Sequence, residues 1–290
     1  MQSSVLWARI YDANNNNNNR LSREMPGKFF VTILQYITFG GEHMKRIILM
    51  LLAGFMVCCF VGTVQAKKLV VACDTAFMPF EYKDTKTGKY VGFDIDLWDA
   101  VAKDLKLDYE LQPMSFNGIV PALQTGNVDV GIAGMTIKSK RMEVIDFAYP
   151  YYQSGLRLLV RADNTDIKSV EDLKDKVVAT KIGTSSVDYV APYTTKPIHK
   201  FQDQDAAFME LVSGGADAVI FDKPVVEDYA NKAGKGSVKV VGPVYAGQYY
   251  GIGFPAGSAL RKPVSISILR LMETGEYNKI YKKWFGVEPQ

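Results

Sequence analysis

Short apolar runs alternate with amphipathic segments along most of this 290-residue chain. A buried strand is predicted for the run "KLVVA". A helix is predicted for "DIDLWDAVAKDL", which places Ile95, Trp98 and Val101 at helical spacing. Further strands are predicted at "YELQPM" and "VDVGIAG", and further helices at "GIVPALQTG" and from "KSKRMEVI". This repeated order predicts a parallel sheet covered by helices on both faces.

The same alternation begins again at "GLRLLV" and ends in two C-terminal helices. We therefore expect two α/β lobes. The first lobe is predicted to comprise residues 67–151 plus 250–290, because the last strand, "YYGIGFP", and the last helices are most simply returned to it. The second lobe is predicted at residues 155–246. The chain would cross between the lobes at residues 152–155 and 246–250, and ligands usually bind between such lobes.

Residues 44–66 predict a secretory signal peptide. This segment opens with Lys45 and Arg46, continues with an apolar run and ends in small residues. We expect cleavage after Ala66 and export to the periplasm. Residues 1–43 contain a run of six asparagines, and they are interpreted as a non-native or disordered upstream extension.

Two alternatives stay open for the signal segment. Its apolar stretch approaches the roughly 18 residues that can span a bilayer, which would make it an uncleaved anchor. Cys58 and Cys59 also lie within it, which raises the alternative of a lipid-modified protein. The bulky residues before Cys58 disfavour that modification.

Charge and residue counts exclude several classes of function for the exported chain. Residues 1–66 hold six of the 34 basic and three of the 31 acidic residues, so 28 of each remain. A neutral chain gives no electrostatic basis for nucleic-acid binding. Cys73 is then the one cysteine left, so no internal disulfide can form. His199 is the one histidine left, and nothing around it indicates a metal site or a catalytic triad. We expect no cofactor and no metal.

Polar residues follow several of the predicted strands, and in a parallel sheet these strand ends face one crevice. Asp74 is followed by aromatic residues in "CDTAFMPFEY", which is typical of a pocket for a ligand with an apolar stem and a polar head. The plainer alternative is a loop whose aromatics cover the core. Nine residues are predicted to line the site: Asp74, Phe77, Phe116, Gly134, Thr136, Arg141, Lys181, Ser185 and Asp222.

Both signs of charge converge on this crevice, which suits a free amino acid. The ligand carboxylate would be bound by the Arg141 guanidinium, the Thr136 hydroxyl and the helix start at Ser185. The ammonium would be bound by Asp222, with the Gly134 carbonyl as a second acceptor. Arg141 pairing with a nearby surface acid, and Asp222 acting only as a helix N-cap, remain alternatives.

The remaining four residues would contact the ligand side chain. Phe77 and Phe116 are expected to cover its aliphatic stem. Asp74 supplies an acceptor and Lys181 a donor, and this combination suits an amide. A buried polar site rejects ligands that leave its groups unpaired, so the pair predicts selectivity.

The chain from residue 67 onward resembles the periplasmic amino-acid-binding proteins of ABC importers, solute-binding protein family 3, and most closely their glutamine-binding members. The resemblance is carried by "KKLVVACDTAFMPFEY", "YVGFDIDLWDAVAKDLKLDYEL", "GIVPALQTGNVDVGIAGMTI", "GTSSVDY" and "YNKIYKKWFG". It implies two Rossmann-like lobes joined by a two-strand hinge, the type II periplasmic binding protein fold. It also implies the site roles given above. Phe221, Ser185 and Met135 depart from the glutamine-binding pattern.

The function expected from the resemblance is capture of a polar L-amino acid, L-glutamine first, and delivery to a permease in the inner membrane. We expect a monomer that is not an enzyme. Arginine, histidine, lysine or glutamate are alternative ligands. A periplasmic dehydratase on the same scaffold is a further alternative, disfavoured by the absence of a pocket histidine and by an Asp222 aimed at an ammonium.

Overall fold

The computed structural model describes residues 68–289, together with Gly41. The expected signal peptide, its cleavage site and the upstream extension other than Gly41 lie outside these residues. Among the described residues, no helix has both the length and the apolar character that a membrane crossing requires.

Thirteen strands are found in the described part of the chain. They are β1 (Leu69–Cys73), β2 (Ala76–Phe77), β3 (Glu81–Lys83), β4 (Tyr90–Val91), β5 (Tyr109–Pro113), β6 (Val130–Gly131), β7 (Ile145–Phe147), β8 (Tyr152–Arg161), β9 (Val178–Lys181), β10 (His199–Phe201), β11 (Ala218–Asp222), β12 (Val238–Tyr250) and β13 (Gly253–Pro255).

Eight α-helices are found in the same residues, with a 3₁₀ helix at Val170–Leu173. They are α1 (Phe93–Leu105), α2 (Phe116–Thr125), α3 (Ser139–Met142), α4 (Ser185–Val190), α5 (Gln204–Ser213), α6 (Lys223–Asn231), α7 (Arg261–Glu273) and α8 (Glu276–Phe285).

The strands form two five-stranded sheets, one in each lobe. The first has the order β5-β1-β6-β13-β7 and the second the order β10-β9-β11-β8-β12. A small sheet, β2-β3-β4, accompanies the first. The last strand, β13, pairs with β6 and β7, so the chain returns to the first sheet near its end. The lobe boundaries given above stay predictions.

The predicted parallel pairing is found among β5, β1 and β6 and among β10, β9 and β11, but neither sheet is parallel throughout. β13 runs antiparallel to β6 and β7 in the first sheet, and β8 runs antiparallel to β11 and β12 in the second. The reason in the second sheet is the path of the chain: β8 carries it into the lobe and β12 carries it out. These two strands also pair with each other, from Val238 opposite Arg161 to Tyr250 opposite Tyr152.

Most predicted helices are confirmed, with local differences. Ile95, Trp98 and Val101 are buried on α1, as their spacing predicts. The helix expected from "KSKRMEVI" is the single turn α3, because Ile145 already begins β7. The strand expected at "YYGIGFP" is divided between the end of β12 and β13.

The turn into α1 depends on Gly92, which lies between β4 and the helix. Its φ of +145° is disfavoured for residues with a Cβ. A Cβ at this position would lie 1.9 Å from the Phe80 carbonyl oxygen, which cannot move without shifting the backbone. Gly92 therefore fixes how α1 approaches the segment around Phe80.

We expect Gly92→Ala to lower the free energy of unfolding by about 3 kcal/mol or more, because the added methyl overlaps backbone atoms. Gly88→Ala is the matched control, since Gly88 also has a positive φ, +69°, but a methyl group added there would have no neighbouring atom within 4 Å. Its expected loss is about 1 kcal/mol. Urea denaturation of both variants tests this, and equal losses would contradict it.

Candidate functional site

All nine predicted site residues line one small cavity between the lobes, together with Ala133, Thr184 and Phe221. The cavity volume is about 10 Å³. The cavity is therefore narrow and closely surrounded by side chains. Strand ends supply several of its residues, as the sequence predicts.

The first lobe supplies an acid and an aromatic ring to this cavity. Asp74 directly follows β1 and Phe77 lies in β2. Phe77 packs onto Gly134, which has a φ of +51° and where a Cβ would lie 2.2 Å from the ring. Glycine is therefore required at Gly134 both for its backbone conformation and for the contact with Phe77.

Arg141, on α3, contacts both lobes. Its Nη1 donates to the Thr136 carbonyl at 2.7 Å, and its Nη2 donates across the cleft to the Gly183 carbonyl at 3.0 Å. Its guanidinium lies 5.2 Å from the centre of the Phe116 ring. Burial lowers the pKa of Arg141 to about 10, opposed by the negative charges of Asp222 and Asp188.

Within the described residues, Arg141 forms no ion pair with a neighbouring acid. Its two hydrogen bonds are accepted by carbonyl groups, which do not neutralise its charge. A guanidinium has five N–H donors, so further donors are left for an anion. The alternative of a surface ion pair is therefore not supported.

Lys181 and Asp74 form an ion pair between the lobes. Lys181 ends β9 in the second lobe, and its Nζ donates to Asp74 Oδ2. The two side chains are 1% and 2% exposed. Burial raises the pKa of Asp74, and the Lys181 charge opposes that rise. The pair thus places one acceptor and one donor side by side in a site shielded from water.

Asp222 ends β11 and has one carboxylate oxygen without a partner. Tyr250 Oη donates to Oδ2 at 2.6 Å, whereas Oδ1 has no hydrogen-bond partner among the described residues. Asp222 occupies the N-cap position of α6, but its side chain makes no capping hydrogen bond. Burial raises its pKa to about 6, opposed by Tyr250 and by the charges of Arg141 and Lys181. The free oxygen suits a hydrogen-bond donor of a ligand.

Gln248 is a polar residue of the site that the sequence prediction missed. The Thr136 and Ser185 hydroxyls, one from each lobe, both donate to Gln248 Oε1 at 3.0 Å. Gln248 lies within β12, where the chain crosses between the lobes, and not at the end of a strand. The one signal in the sequence was that a glutamine lies within the predicted crossing segment, residues 246–250. Tyr250, which ends β12 and donates to Asp222, was also missed.

No group of histidine, cysteine or acidic residues suited to a metal ion is found in residues 68–289. His199 does not line the cavity, and its Nδ1 lies 3.1 Å from Glu210 Oε1 in the second lobe. The cavity therefore contains groups for binding charges and hydrogen bonds, and it contains no nucleophile–histidine pair.

Residues 69–287 match the family model of bacterial extracellular solute-binding proteins, family 3. The chain belongs to this family. Two curated relatives are a probable histidine-binding protein of Neisseria gonorrhoeae, 34% identical over 75% of this chain and 83% of the relative, and the ABC transporter glutamine-binding protein GlnH of Bacillus subtilis, 32% identical over 77% and 82%. This family 3 protein is thus an amino-acid-binding protein of the ABC transporter type.

Solved structures share the fold. The arginine-, lysine-, histidine-binding protein ArtJ of Geobacillus stearothermophilus is 38% identical, with a TM-score of 0.73 over 77% of this chain and 97% of that one. The ancestral amino acid-binding protein AncCDT-1, a precursor of cyclohexadienyl dehydratase, is 39% identical, with a TM-score of 0.68 over 75% and 95%. The predicted fold class, two α/β lobes of a type II periplasmic binding protein, is confirmed.

In this family 3 protein we expect Tyr250→Phe to raise the pKa of Asp222 from about 6 to about 7. The hydrogen bond from Tyr250 stabilises the ionised carboxylate, so its loss favours the protonated form. The measurement is the carboxyl carbon chemical shift of Asp222 followed against pH.

Ser154→Ala is the control for this titration. The Ser154 hydroxyl lies 3.1 Å from Tyr250 Oη, and it makes no hydrogen bond to Asp222. The pKa of Asp222 should stay near its original value in this variant. An unchanged titration in Tyr250→Phe would show that this hydrogen bond does not control Asp222.

Proposed function

We propose that this protein captures L-glutamine by closure of its two lobes and delivers it to an ABC importer permease in the inner membrane. The observation that carries the choice of ligand is the buried Lys181–Asp74 pair. Its relatives are named for different amino acids, including histidine, glutamine and arginine. The side chains in the cavity must therefore decide between them.

The amide of glutamine matches the Lys181–Asp74 pair. Its carbonyl oxygen would accept from Lys181, and its NH₂ group would donate to Asp74. Arginine or lysine would bring a second cation against Lys181, and glutamate would bring a second anion against Asp74. Either would leave a charge buried and unpaired, which is strongly unfavourable.

The main-chain groups of the amino acid would bind on the other side of the cavity. Arg141 has N–H donors left for the carboxylate, and the Thr136 and Ser185 hydroxyls could turn to it from Gln248. The ammonium would donate to the free Asp222 Oδ1. The ammonium would also donate a hydrogen bond to the Gly134 carbonyl.

Phe77 and Phe116 would enclose the aliphatic stem of the ligand. Both rings line the cavity and are almost fully buried, at 4% and 8% exposure. The lobes are joined through the paired strands β8 and β12, about which they would move apart to admit the amino acid. Closure would then remove water and strengthen the charged hydrogen bonds.

The proposed role does not include catalysis. A dehydratase needs a general acid or base directed at a substrate that lacks the amine. No histidine lines this cavity, and the proposed role of Asp222 is to bind the ligand ammonium. The likeness to AncCDT-1, a precursor of a dehydratase, is the reason to test this protein for dehydratase activity. Incubation with prephenate-like acids should give no product, and product formation would revive the enzyme alternative.

We further propose that the protein acts in the periplasm as a monomer, after removal of residues 1–66. Family 3 proteins are extracellular, which is consistent with this placement. The mass of the secreted protein tests the cleavage after Ala66.

Isothermal titration calorimetry with the twenty amino acids is the direct test of the ligand. L-Glutamine is expected to bind with a Kd on the order of 1 μM, a binding free energy of about −8 kcal/mol. L-Glutamate, L-arginine and L-histidine should bind much more weakly. Absence of glutamine binding at roughly millimolar concentration would refute the proposed ligand.

Asp74→Asn tests the side-chain assignment in the same experiment. The variant keeps the shape of the residue but removes its charge, so glutamine should bind about tenfold more weakly and the penalty against glutamate should shrink. Asp163→Asn is the control, because its side chain is 85% exposed. Equal glutamine affinity in wild type and Asp74→Asn would show that Asp74 does not contact the ligand amide.

A further inference from the structure

Two carboxyl groups outside the cavity lining are completely buried. Glu81 lies on β3 and Asp94 lies in the first turn of α1, and both side chains are 0% exposed. Three of their four oxygens, Glu81 Oε1, Glu81 Oε2 and Asp94 Oδ1, have no hydrogen-bond donor among the described residues. Buried polar atoms are rarely left in this state, so the pair needs an explanation.

No free positive charge neutralises the two acids within residues 68–289. The groups that are charged at neutral pH and act on Glu81 are Asp94, Asp74 and Lys181. Two of them are acidic, and Lys181 is already paired with Asp74. Two ionised carboxylates at this depth would be unpaired and would repel each other.

The second oxygen of Asp94 is well supplied with donors. The Gly134 amide donates to Asp94 Oδ2 at 2.8 Å, and the Tyr151 hydroxyl donates to it at 2.7 Å. These hydrogen bonds favour the ionised form of Asp94, whereas Glu81 receives none from the described residues. Burial raises the pKa of Glu81 well above its usual range and that of Asp94 to about 6. Glu81 is therefore the better place for a proton.

We propose that Glu81 is protonated at neutral pH, donates a hydrogen bond to Asp94 Oδ1, and thereby acts as a positioning residue for the ligand site. The Asp94 amide donates to the Phe80 carbonyl at 2.9 Å, which places Asp94 beside the neighbouring residue, Glu81. One shared proton would satisfy oxygens that as carboxylates can only accept. Titration of the two acids is then a property of the pair.

The pair reaches the ligand site through Gly134. Asp94 holds the Gly134 amide, and the Gly134 carbonyl is one of the proposed ammonium contacts. Gly134 has a positive φ and packs against the Phe77 ring. The orientation of the Gly134 carbonyl therefore depends on the hydrogen bond between the Gly134 amide and Asp94. The link to binding rests on the proposed function, whereas the protonation of Glu81 does not.

Infrared spectroscopy tests the proton without any ligand. Wild-type protein at neutral pH should show the C=O stretch of a protonated carboxylic acid, and Glu81→Gln should lack it. The glutamine side chain can still donate to Asp94 Oδ1, so this variant should fold. A spectrum without a difference in this band would overturn the proposal.

Thermal unfolding against pH gives a second readout. Above about pH 4.3 the glutamate of the unfolded chain loses its proton, whereas folded Glu81 keeps it, so this residue contributes progressively less stability as the pH rises toward its folded pKa. Glutamine has no proton to lose. The Tm of Glu81→Gln relative to wild type should therefore increase between about pH 5 and about pH 8, and a difference independent of pH would contradict the proposal.

Calorimetry with L-glutamine tests the positioning role. Glu81→Met removes the donor to Asp94 and should weaken binding by about tenfold, and Gln at the same position should restore most of the loss. Equal binding by both variants would refute the positioning role. If wild type itself does not bind L-glutamine, the proposed ligand is wrong, and the infrared and thermal measurements still decide whether Glu81 holds a proton.

Discussion

Burial of opposite charges between two lobes is the constraint on which this protein depends. Lys181 and Asp74 face each other across the cleft in a site that is almost inaccessible to water. Arg141 and Asp222 lie in the same cavity, where burial alone would make each charge unfavourable. The charges of these two cations and two anions sum to zero. A zwitterion with a neutral polar side chain preserves that balance, whereas a ligand with net charge disturbs it.

The fold delivers these charges to one place. Asp74 follows β1, Lys181 ends β9 and Asp222 ends β11, each at the carboxyl end of a strand in a largely parallel part of its sheet. The strands β8 and β12 pair with each other in the second sheet, and the end of β12 at Tyr249 and Tyr250 also accepts hydrogen bonds from Ile137 and Tyr151 of the first lobe. Because the lobes contribute opposite partners of the same pair, the proposed movement of the lobes would make or break the charged contacts. In the proposed function, binding and closure would thereby be coupled.

The polar residues at strand ends could be predicted from the sequence because each directly follows an apolar run. A buried run followed by a polar residue identifies both the strand and the edge of the sheet. Asp74, Lys181 and Asp222 were chosen in this way, and they line the cavity together with the six residues predicted beside them. Gln248 was missed because it lies inside a strand, where periodicity does not mark a polar side chain as part of a site. Contacts such as that between Tyr250 and Asp222 depend on how distant segments pack. The antiparallel strands were not predicted for the same reason. The order of strands and helices along the sequence does not show in which direction a strand runs when the chain returns to a sheet.

The buried acids Glu81 and Asp94 show a further limit of sequence interpretation. In the sequence they belong to ordinary-looking segments, one beside an aromatic run and one at a helix start. Their lack of donors becomes evident only when the three-dimensional surroundings are known. The first lobe thus has two groups of buried ionisable residues. Asp74 and Arg141 line the cavity, whereas Glu81 and Asp94 lie outside its lining, and Asp94 accepts a hydrogen bond from the Gly134 amide.

A crystal structure of the protein grown with L-glutamine would test the central claim most directly. The account predicts the ligand carboxylate on Arg141, its ammonium on Asp222, and its side-chain amide inserted between Asp74 and Lys181. A ligand bound elsewhere, or one that leaves the Lys181–Asp74 contact intact and Arg141 bonded only to main-chain carbonyls, would contradict it.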